Sequence, residues 1–116
     1  MTFHIVFFET NSGKTPVKDF IDNLDPKTQA KIARSFDLLE EFGPLLKEPY
    51  IKPLGYRNLY ELRVRWNKLS LRFLFFMPKY NIIVILHSYI KKSNKIPKNE
   101  LLIATSRLKE FLRENK

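Results

Sequence analysis

The chain has 116 residues, of which 44% are hydrophobic, and it carries a formal net charge of +9. This length and composition predict one packed domain spanning 1–116 and exclude a wholly disordered chain. The absence of cysteine and the presence of only two histidines exclude disulfide scaffolds and Cys-rich or His-rich metal sites. The longest apolar runs are too short to span a bilayer, and the N-terminal segment lacks the pattern of a signal peptide. We therefore expect no membrane partner and a cytoplasmic location.

The positive charge is confined to the second half of the sequence. Residues 1–50 contain six Lys/Arg and eight Asp/Glu, whereas residues 51–116 contain fifteen Lys/Arg and four Asp/Glu. The two halves therefore carry net charges of −2 and +11. A one-sided positive field attracts polyanions, most commonly nucleic acid, although charge runs also arise on surfaces that only aid solubility.

The first half of the chain predicts one strand and two helices. The apolar run at 3–8 has the length of a strand that is buried on both faces. Thr15-Pro16 and Asp25-Pro26 are both helix starts, and Gly43-Pro44 ends the second helix, so the two helices form a hairpin. Apolar residues recur in both segments at helical spacing: Val17, Phe20, Ile21, Leu24, Ile32, Ala33, Phe36 and Leu39. On the outer face of the hairpin we expect the acidic residues Asp22, Asp37, Glu40 and Glu41.

The second half predicts three strands and a closing helix. The strands are 59–66, 69–76 and 82–90. Turns at Asn67-Lys68 and at 78–81 separate them, so they form an antiparallel meander. A basic loop at 91–98 follows, and Pro97 begins a helix with an apolar stripe of Leu101, Ala104, Leu108 and Phe111. The resulting order β-α-α-β-β-β-α indicates an α+β fold in which helices pack against an antiparallel sheet.

Charged side chains collect on one face of this meander. Glu61, Arg63 and Arg65 share the face of the first strand opposite its apolar residues. Arg72 lies within an apolar strand, where its guanidinium must reach water, a carboxylate or a phosphate. One alternative is that Arg72 pairs with Glu61 across the meander, and such a buried pair can also hold site residues in place.

The end of the third strand adds aromatic and cationic side chains. His87 and Tyr89 share one face, and a lysine cluster follows with Lys91, Lys92, Lys95 and Lys98. Arginine forks bind phosphate, and Tyr or His rings stack on bases, so this face is a candidate RNA site. The alternatives are that His87 and Tyr89 are core residues and that the lysines form a solvated strand end.

Five segments read together form a fairly specific string: 59–63 (LYELR), 72–76 (RFLFF), 85–93 (ILHSYIKKS), 95–97 (KIP) and 100–107 with Ala104 inside. In this string the chain resembles the HigB-type toxins, the phage-related branch of the RelE/ParE toxin superfamily. The resemblance covers nearly the whole chain, because the first strand, the helical hairpin and the closing helix also follow the family order.

The resemblance implies a RelE-like (microbial RNase-like) fold, with an antiparallel sheet packed against an N-terminal helical hairpin and a C-terminal helix. It implies an endoribonuclease (mRNA interferase) that cleaves mRNA on the translating ribosome, without metal or cofactor, and so inhibits translation. A cognate helix-turn-helix antitoxin, HigA-like, would neutralise the toxin and would alone contact operator DNA. The positions that match the family's basic site are Arg63, Arg72, Lys91, Lys92 and Lys95, with His87 and Tyr89 beside them.

RNA can be cleaved without a metal, since the 2′-OH can attack the adjacent phosphate in line. The protein must then position the strand, stabilise the added negative charge and transfer protons. Arg63 and Arg72 suit charge stabilisation because arginine stays protonated. Proton transfer falls to His87, Lys92, Tyr89 or Glu61, with His87 or Lys92 preferred. The residues expected to bind RNA or the ribosome are Tyr89, Lys91, Lys95 and Lys98.

Two other functions remain open at this stage. The same scaffold hosts ParE-like toxins that inhibit DNA gyrase without catalysis, and a basic domain can also be a non-toxic nucleic-acid-binding module. The basic sheet face favours the nuclease, because a gyrase inhibitor would not need Arg63, Arg72 and a lysine loop together.

Overall fold

The computed structural model of the chain describes residues 2–78, 81–92 and 95–114. In these ranges five β-strands and three α-helices follow one another in the order β-α-α-β-β-β-β-α. The strands are β1 (His4–Phe7), β2 (Ile51–Pro53), β3 (Leu59–Trp66), β4 (Leu69–Phe76) and β5 (Ile82–Ile90). The helices are α1 (Pro16–Asp22), α2 (Pro26–Phe42) and α3 (Lys98–Glu114), and a 3₁₀ turn at Gly43–Leu45 follows α2. No helix within the described ranges is both long enough and apolar enough to cross a membrane.

The strands form one sheet in the order β1-β5-β4-β3-β2. The antiparallel meander β3-β4-β5 is confirmed, and Asn67 adopts φ 55° at its first turn, a conformation that asparagine tolerates. The predicted turn at 78–81 lies partly outside the described residues. The prediction of a purely antiparallel sheet is wrong, because β1 pairs with β5 in parallel. In addition, β2 is a short strand beside β3 that periodicity did not predict.

Strand β1 is an edge strand, and its predicted burial on both faces is wrong. His4 is exposed and Val6 is 44% exposed, whereas Ile5 and Phe7 pack on the core beneath the helical hairpin. Its backbone edge is closed by α2, since the Ile5 amide donates to Glu40 Oε2 at 3.1 Å. Glu40 therefore does not lie on the acidic outer face predicted for it. A paired edge amide removes a template for strand addition.

The helical hairpin α1–α2 is confirmed and covers one face of the sheet. Asp25 caps α2 by accepting from the Thr28 amide, as its Asp-Pro start predicts. Gly43 ends α2 with φ 52°, and the ring of Phe3 occupies the space that a Cβ there would need. The core under the hairpin joins its apolar stripe to three strands through Val17, Ile32, Leu39, Leu62, Leu71, Phe73 and Ile85.

Helix α3 packs on the opposite face of the sheet and buries only part of it. Ala104 and Leu108 are fully buried, and Leu101 and Phe111 flank them, as the predicted stripe requires. Beneath the helix lie the strand residues Leu59, Leu74, Phe76, Val84 and Leu86. The remaining part of this face carries the charged residues of β3, β4 and the end of β5.

A β-bulge in β5 decides which residues reach the α3 side. Phe75 of β4 pairs with Ile85 of β5, whereas Leu74, the residue before Phe75, pairs with His87, so Leu86 is an extra residue. In an unbulged strand with the same residues, His87 and Tyr89 would lie on the hairpin side with Ile83 and Ile85. The bulge therefore places both side chains on the same face as Arg72.

Candidate functional site

The centre of the charged face is a pair of arginines that lie directly opposite each other. Arg63 on β3 pairs in register with Arg72 on β4. Like charges at directly opposed positions destabilise a sheet, so this pair needs a counter-charge. Glu61 supplies it, because its Oε1 lies 3.2 Å from Arg63 Nε and 3.6 Å from Arg72 Nε.

The two arginines differ in exposure and hence in what they can touch. The side chain of Arg63 is 22% exposed, whereas those of Arg72 and Glu61 are 4% and 3% exposed. Burial lowers the pKa of Arg72 and Glu61 raises it, but an arginine remains charged throughout the physiological range. Arg63 is therefore able to contact a ligand, whereas Arg72, its neighbour on β4, is part of a buried ion pair, the alternative considered from the sequence.

Tyr89 belongs to the same buried group. Its hydroxyl donates to Glu61 Oε2 at 3.3 Å, and the residue is 5% exposed. Burial, with Glu61 adding to it, raises the pKa of the Tyr89 phenol, which therefore stays neutral. The structure thus places Tyr89 in the core under α3 rather than on a surface that a base stacks on.

His87 is held from both sides by α3. Its Nε2 lies 2.8 Å from Glu100 Oε1, and its Nδ1 lies 3.4 Å from Nη1 of Arg107, which also donates to the Leu86 carbonyl at 2.8 Å. Because a guanidinium only donates, Nδ1 accepts the hydrogen bond from Arg107. Nε2 is therefore protonated and donates a hydrogen bond to Glu100. Burial lowers the pKa of His87, Glu100 opposes that shift and Arg107 adds to it. Both ring nitrogens are thus engaged within the protein.

The lysines predicted to bind RNA lie in different surroundings. Lys91 is half-buried, and its amide donates to Ser70 O at 2.7 Å, which continues β5 along the charged face. Burial lowers the pKa of its amine, Glu61 opposes this shift, and Arg72 and Arg63 lower the pKa further. Lys92, Lys95 and Lys98 are exposed beyond it, and residues 93–94 of the predicted basic loop lie outside the described residues.

A recess of about 620 Å³ opens between the end of β5 and the start of α3. Its walls include Tyr89 and Lys92 from the strand end, and Asn99 and Glu100 from the first turn of α3. The charged face and this recess are therefore neighbours, with Tyr89 as their common border. Among the described residues no group of three His, Cys, Asp or Glu side chains is arranged to hold a metal ion.

The family described as phage derived protein Gp49-like (DUF891) matches residues 19–109. The chain belongs to this family. The Gp49-like family is part of the RelE/ParE-like toxin superfamily, is associated with the toxins of toxin–antitoxin systems and is typically paired with an antitoxin. No curated protein matched the chain.

The Gp49-like match contains every residue of the charged face and of the recess, from Phe20 to Arg107. The sequence indicates Glu61 only as a partner of Arg72 or as a group for proton transfer, and it does not indicate the roles of Glu100 and Arg107 around His87. A signal was present, since residues seven apart on a helix lie on one face. The spacing of Glu100 and Arg107 therefore places both on the side of α3 that faces β5.

Proposed function

We propose that this Gp49-like chain is the toxin of a toxin–antitoxin pair and acts in the cytoplasm as a ribosome-dependent mRNA endonuclease. The observation that carries the proposal is the directly opposed pair Arg63 and Arg72, held by the single carboxylate of Glu61. A sheet keeps such a pair at a cost in stability. Its benefit is a fixed cation at the surface for a phosphate that gains negative charge.

The proposed reaction is attack of a 2′-oxygen on the adjacent phosphorus. The bond from O2′ to phosphorus forms while the bond from phosphorus to O5′ breaks, which leaves a 2′,3′-cyclic phosphate and a free 5′-hydroxyl. One proton leaves the 2′-OH, and one proton is delivered to O5′. In this scheme side chains and the ribosome supply positioning, charge stabilisation and proton transfer.

We assign the contact with the phosphate to Arg63 and a positioning role to Arg72, which acts through Glu61. Arg63 binds Glu61 through Nε, so its two terminal nitrogens lie outside that contact. Arg72 is too deeply buried to meet a strand of RNA, but it shares the same carboxylate oxygen and so fixes where Glu61 lies. Removing either arginine is expected to impair cleavage, for different reasons.

For proton transfer we favour Lys91 over the histidine preferred from sequence. His87 has both ring nitrogens engaged by α3, whereas Lys91 lies on the charged face with its amine pKa lowered by burial and by neighbouring cations. A lowered pKa increases the fraction of neutral amine that can accept the 2′-OH proton. Lys92 remains a second candidate at the rim, and His87 is proposed as a positioning residue for α3.

The exposed lysines and the partner complete the proposal. Lys92, Lys95 and Lys98 extend the positive field beyond the site and are proposed to attract ribosomal RNA and message. The antitoxin is proposed to be a helix-turn-helix protein that neutralises this charged face and alone contacts operator DNA. The hairpin on one side of the sheet and α3 on the other support a RelE-like arrangement.

The test is to map mRNA 5′ ends in cells after brief induction of the wild type and of Arg63→Ala. New ends confined to translated frames, absent with Arg63→Ala and retained with the exposed hairpin variant Arg34→Ala, are expected. Growth arrest without new ends, together with inhibition of gyrase supercoiling by the purified chain, would contradict the nuclease proposal and indicate a gyrase inhibitor. An absence of growth arrest would leave a nucleic-acid-binding module.

A further inference from the structure

The recess beside the charged face has the composition of a pocket for one flat polar ligand. Phe20 and Pro97 form apolar walls, Asn99 and Glu100 provide polar groups, and Lys92 provides a cation at the rim. Its volume of about 620 Å³ is within the range of small-molecule pockets. Apolar walls suit the faces of an aromatic ring, and the polar groups suit its edge.

Glu100 is fixed in this recess by contacts that the proposed cleavage does not use. His87 donates to Glu100 Oε1 at 2.8 Å, and Arg107 holds His87 from its other nitrogen. The His87 ring also stacks on Tyr89, with centroids 5.9 Å apart and planes at 21°. The Glu100 side chain is still 20% exposed, so a carboxylate with a fixed orientation is accessible to a ligand.

The recess also lies at the right distance from the charged face to serve the same strand of RNA. Tyr89 borders the recess and pairs in register with Arg72, and Arg63 is one strand further along. Neighbouring strands are about 4.8 Å apart. A phosphate at Arg63 therefore leaves the base of an adjoining nucleotide within reach of the recess.

We propose that the recess binds a guanine base next to the scissile phosphate and that the carboxylate of Glu100 reads its Watson–Crick edge. Guanine offers two adjacent donors there, N1–H and the N2 amine, and a carboxylate accepts two parallel hydrogen bonds. Adenine, cytosine and uracil each place an acceptor beside a donor, so they would leave one of these bonds unmade. The inference rests on the proposed nuclease function and adds the base preference of that site.

The test titrates the whole purified chain with short RNAs that carry a single 2′-deoxy substitution to block cleavage. The oligonucleotides differ in one base only, which is guanine, inosine (without the N2 amine) or adenine. Fluorescence anisotropy is expected to rank the affinities as guanine, then inosine, then adenine, with roughly tenfold or more between the first and the last. In Glu100→Gln this ranking should collapse, because the amide presents a donor to the guanine donors.

The matched control is Glu114→Gln, the same substitution at an exposed carboxylate at the other end of α3, which should keep the ranking. Equal affinities for the three bases, or a ranking that survives Glu100→Gln, would overturn the guanine assignment. A recess that binds a protein partner instead would also give equal affinities.

Mapped mRNA ends separate this failure from failure of the proposed function. Cuts without enrichment of guanine beside them would overturn the inference and leave the nuclease intact. An absence of cuts would overturn the nuclease, and the titration alone then decides whether the recess recognises guanine.

Discussion

Arg72 Nε lies 3.6 Å from Glu61 Oε1, and the two side chains are 4% and 3% exposed on adjacent strands. Removing one partner of such a pair leaves a buried charge without its main counter-charge. We expect Arg72→Met to lower the free energy of unfolding by about 3–5 kcal/mol, measured by urea denaturation. Arg65→Met, at an exposed position of β3, should change it by no more than about 0.5 kcal/mol.

A double variant separates the structural role of this pair from its role in cleavage. Replacing both charges by apolar side chains, as in Glu61→Met with Arg72→Met, removes the uncompensated charge and should recover much of the lost stability. Cleavage should stay impaired, because Arg63 then has no fixed carboxylate to orient it. A double variant that is stable and fully active would show that the pair serves folding alone.

The pH dependence of stability should reveal the neutral state of His87. Burial lowers the pKa of His87 in the folded chain, whereas histidine in the unfolded chain has a pKa of about 6.5. Below that pH the unfolded chain binds a proton that the folded chain lacks, so the free energy of unfolding should fall from about pH 7 to about pH 5. In His87→Gln, followed by urea denaturation at both pH values, this decrease should shrink.

The exposed histidine provides the control for that measurement. His4→Gln changes a residue on the outer side of β1 and should retain the wild-type decrease. An equal decrease in His87→Gln and the wild type would assign the effect to other groups. Carboxylates titrate mostly below this window, so they contribute little to it.

The sequence predicts the parts of this fold that depend on local periodicity. The meander follows from alternation in its first strand and from the turns between its strands, the hairpin follows from two helix starts and apolar stripes, and α3 follows from its own stripe; all three are observed. Arg72 is recognisable because a charge in an apolar strand needs a partner nearby. Glu61 is two residues from Arg63 on the same face, so the strand order allows a pair with Arg72, which the sequence predicts as one of two alternatives.

Features that depend on contacts between distant parts of the chain cannot be predicted from local periodicity. The parallel pairing of β1 with β5 joins residues that are almost eighty positions apart, and a short apolar run does not reveal which edge it occupies. The contact of Glu40 with the Ile5 amide has the same character. The burial of Tyr89 depends on where α3 crosses the sheet, which no single segment encodes.

The edge contact of Glu40 can be tested by a neighbouring pair of variants. Glu40→Ala removes the acceptor of the Ile5 amide and should lower the free energy of unfolding by about 1–2 kcal/mol. It should also speed hydrogen exchange at the Ile5 amide, measured by NMR. Glu41→Ala alters an exposed carboxylate one position along and should change neither quantity. Unchanged exchange at Ile5 in Glu40→Ala would contradict the closed edge.

The lysines beyond the site should act through long-range charge. Lys95→Glu together with Lys98→Glu should weaken ribosome co-sedimentation most at low salt, with little change in melting temperature, because both side chains are exposed. Each lost phosphate contact should reduce the log–log salt slope by roughly 0.7–0.9. Lys14→Glu with Lys18→Glu makes the same change of charge in the acidic half and should have a smaller effect. Equal binding by all three proteins at every salt concentration would remove the lysines from ribosome association.

The bulge at Leu86 shifts the alternation of side chains in β5 by one residue, so the parts of the strand before and after Leu86 follow different patterns of facing. The part before the bulge contributes buried apolar residues to the cores on both faces of the sheet. The part after it places His87 and Tyr89 on the face with Arg72 and leads to Lys91. Deletion of Leu86 would leave a regular strand in which His87 follows Ile85 directly, so His87 and Tyr89 would keep their pairing with Leu74 and Arg72 and stay on the α3 side. A one-codon deletion at the bulge would therefore preserve this face, whereas substitutions at His87 or Tyr89 change its chemistry directly.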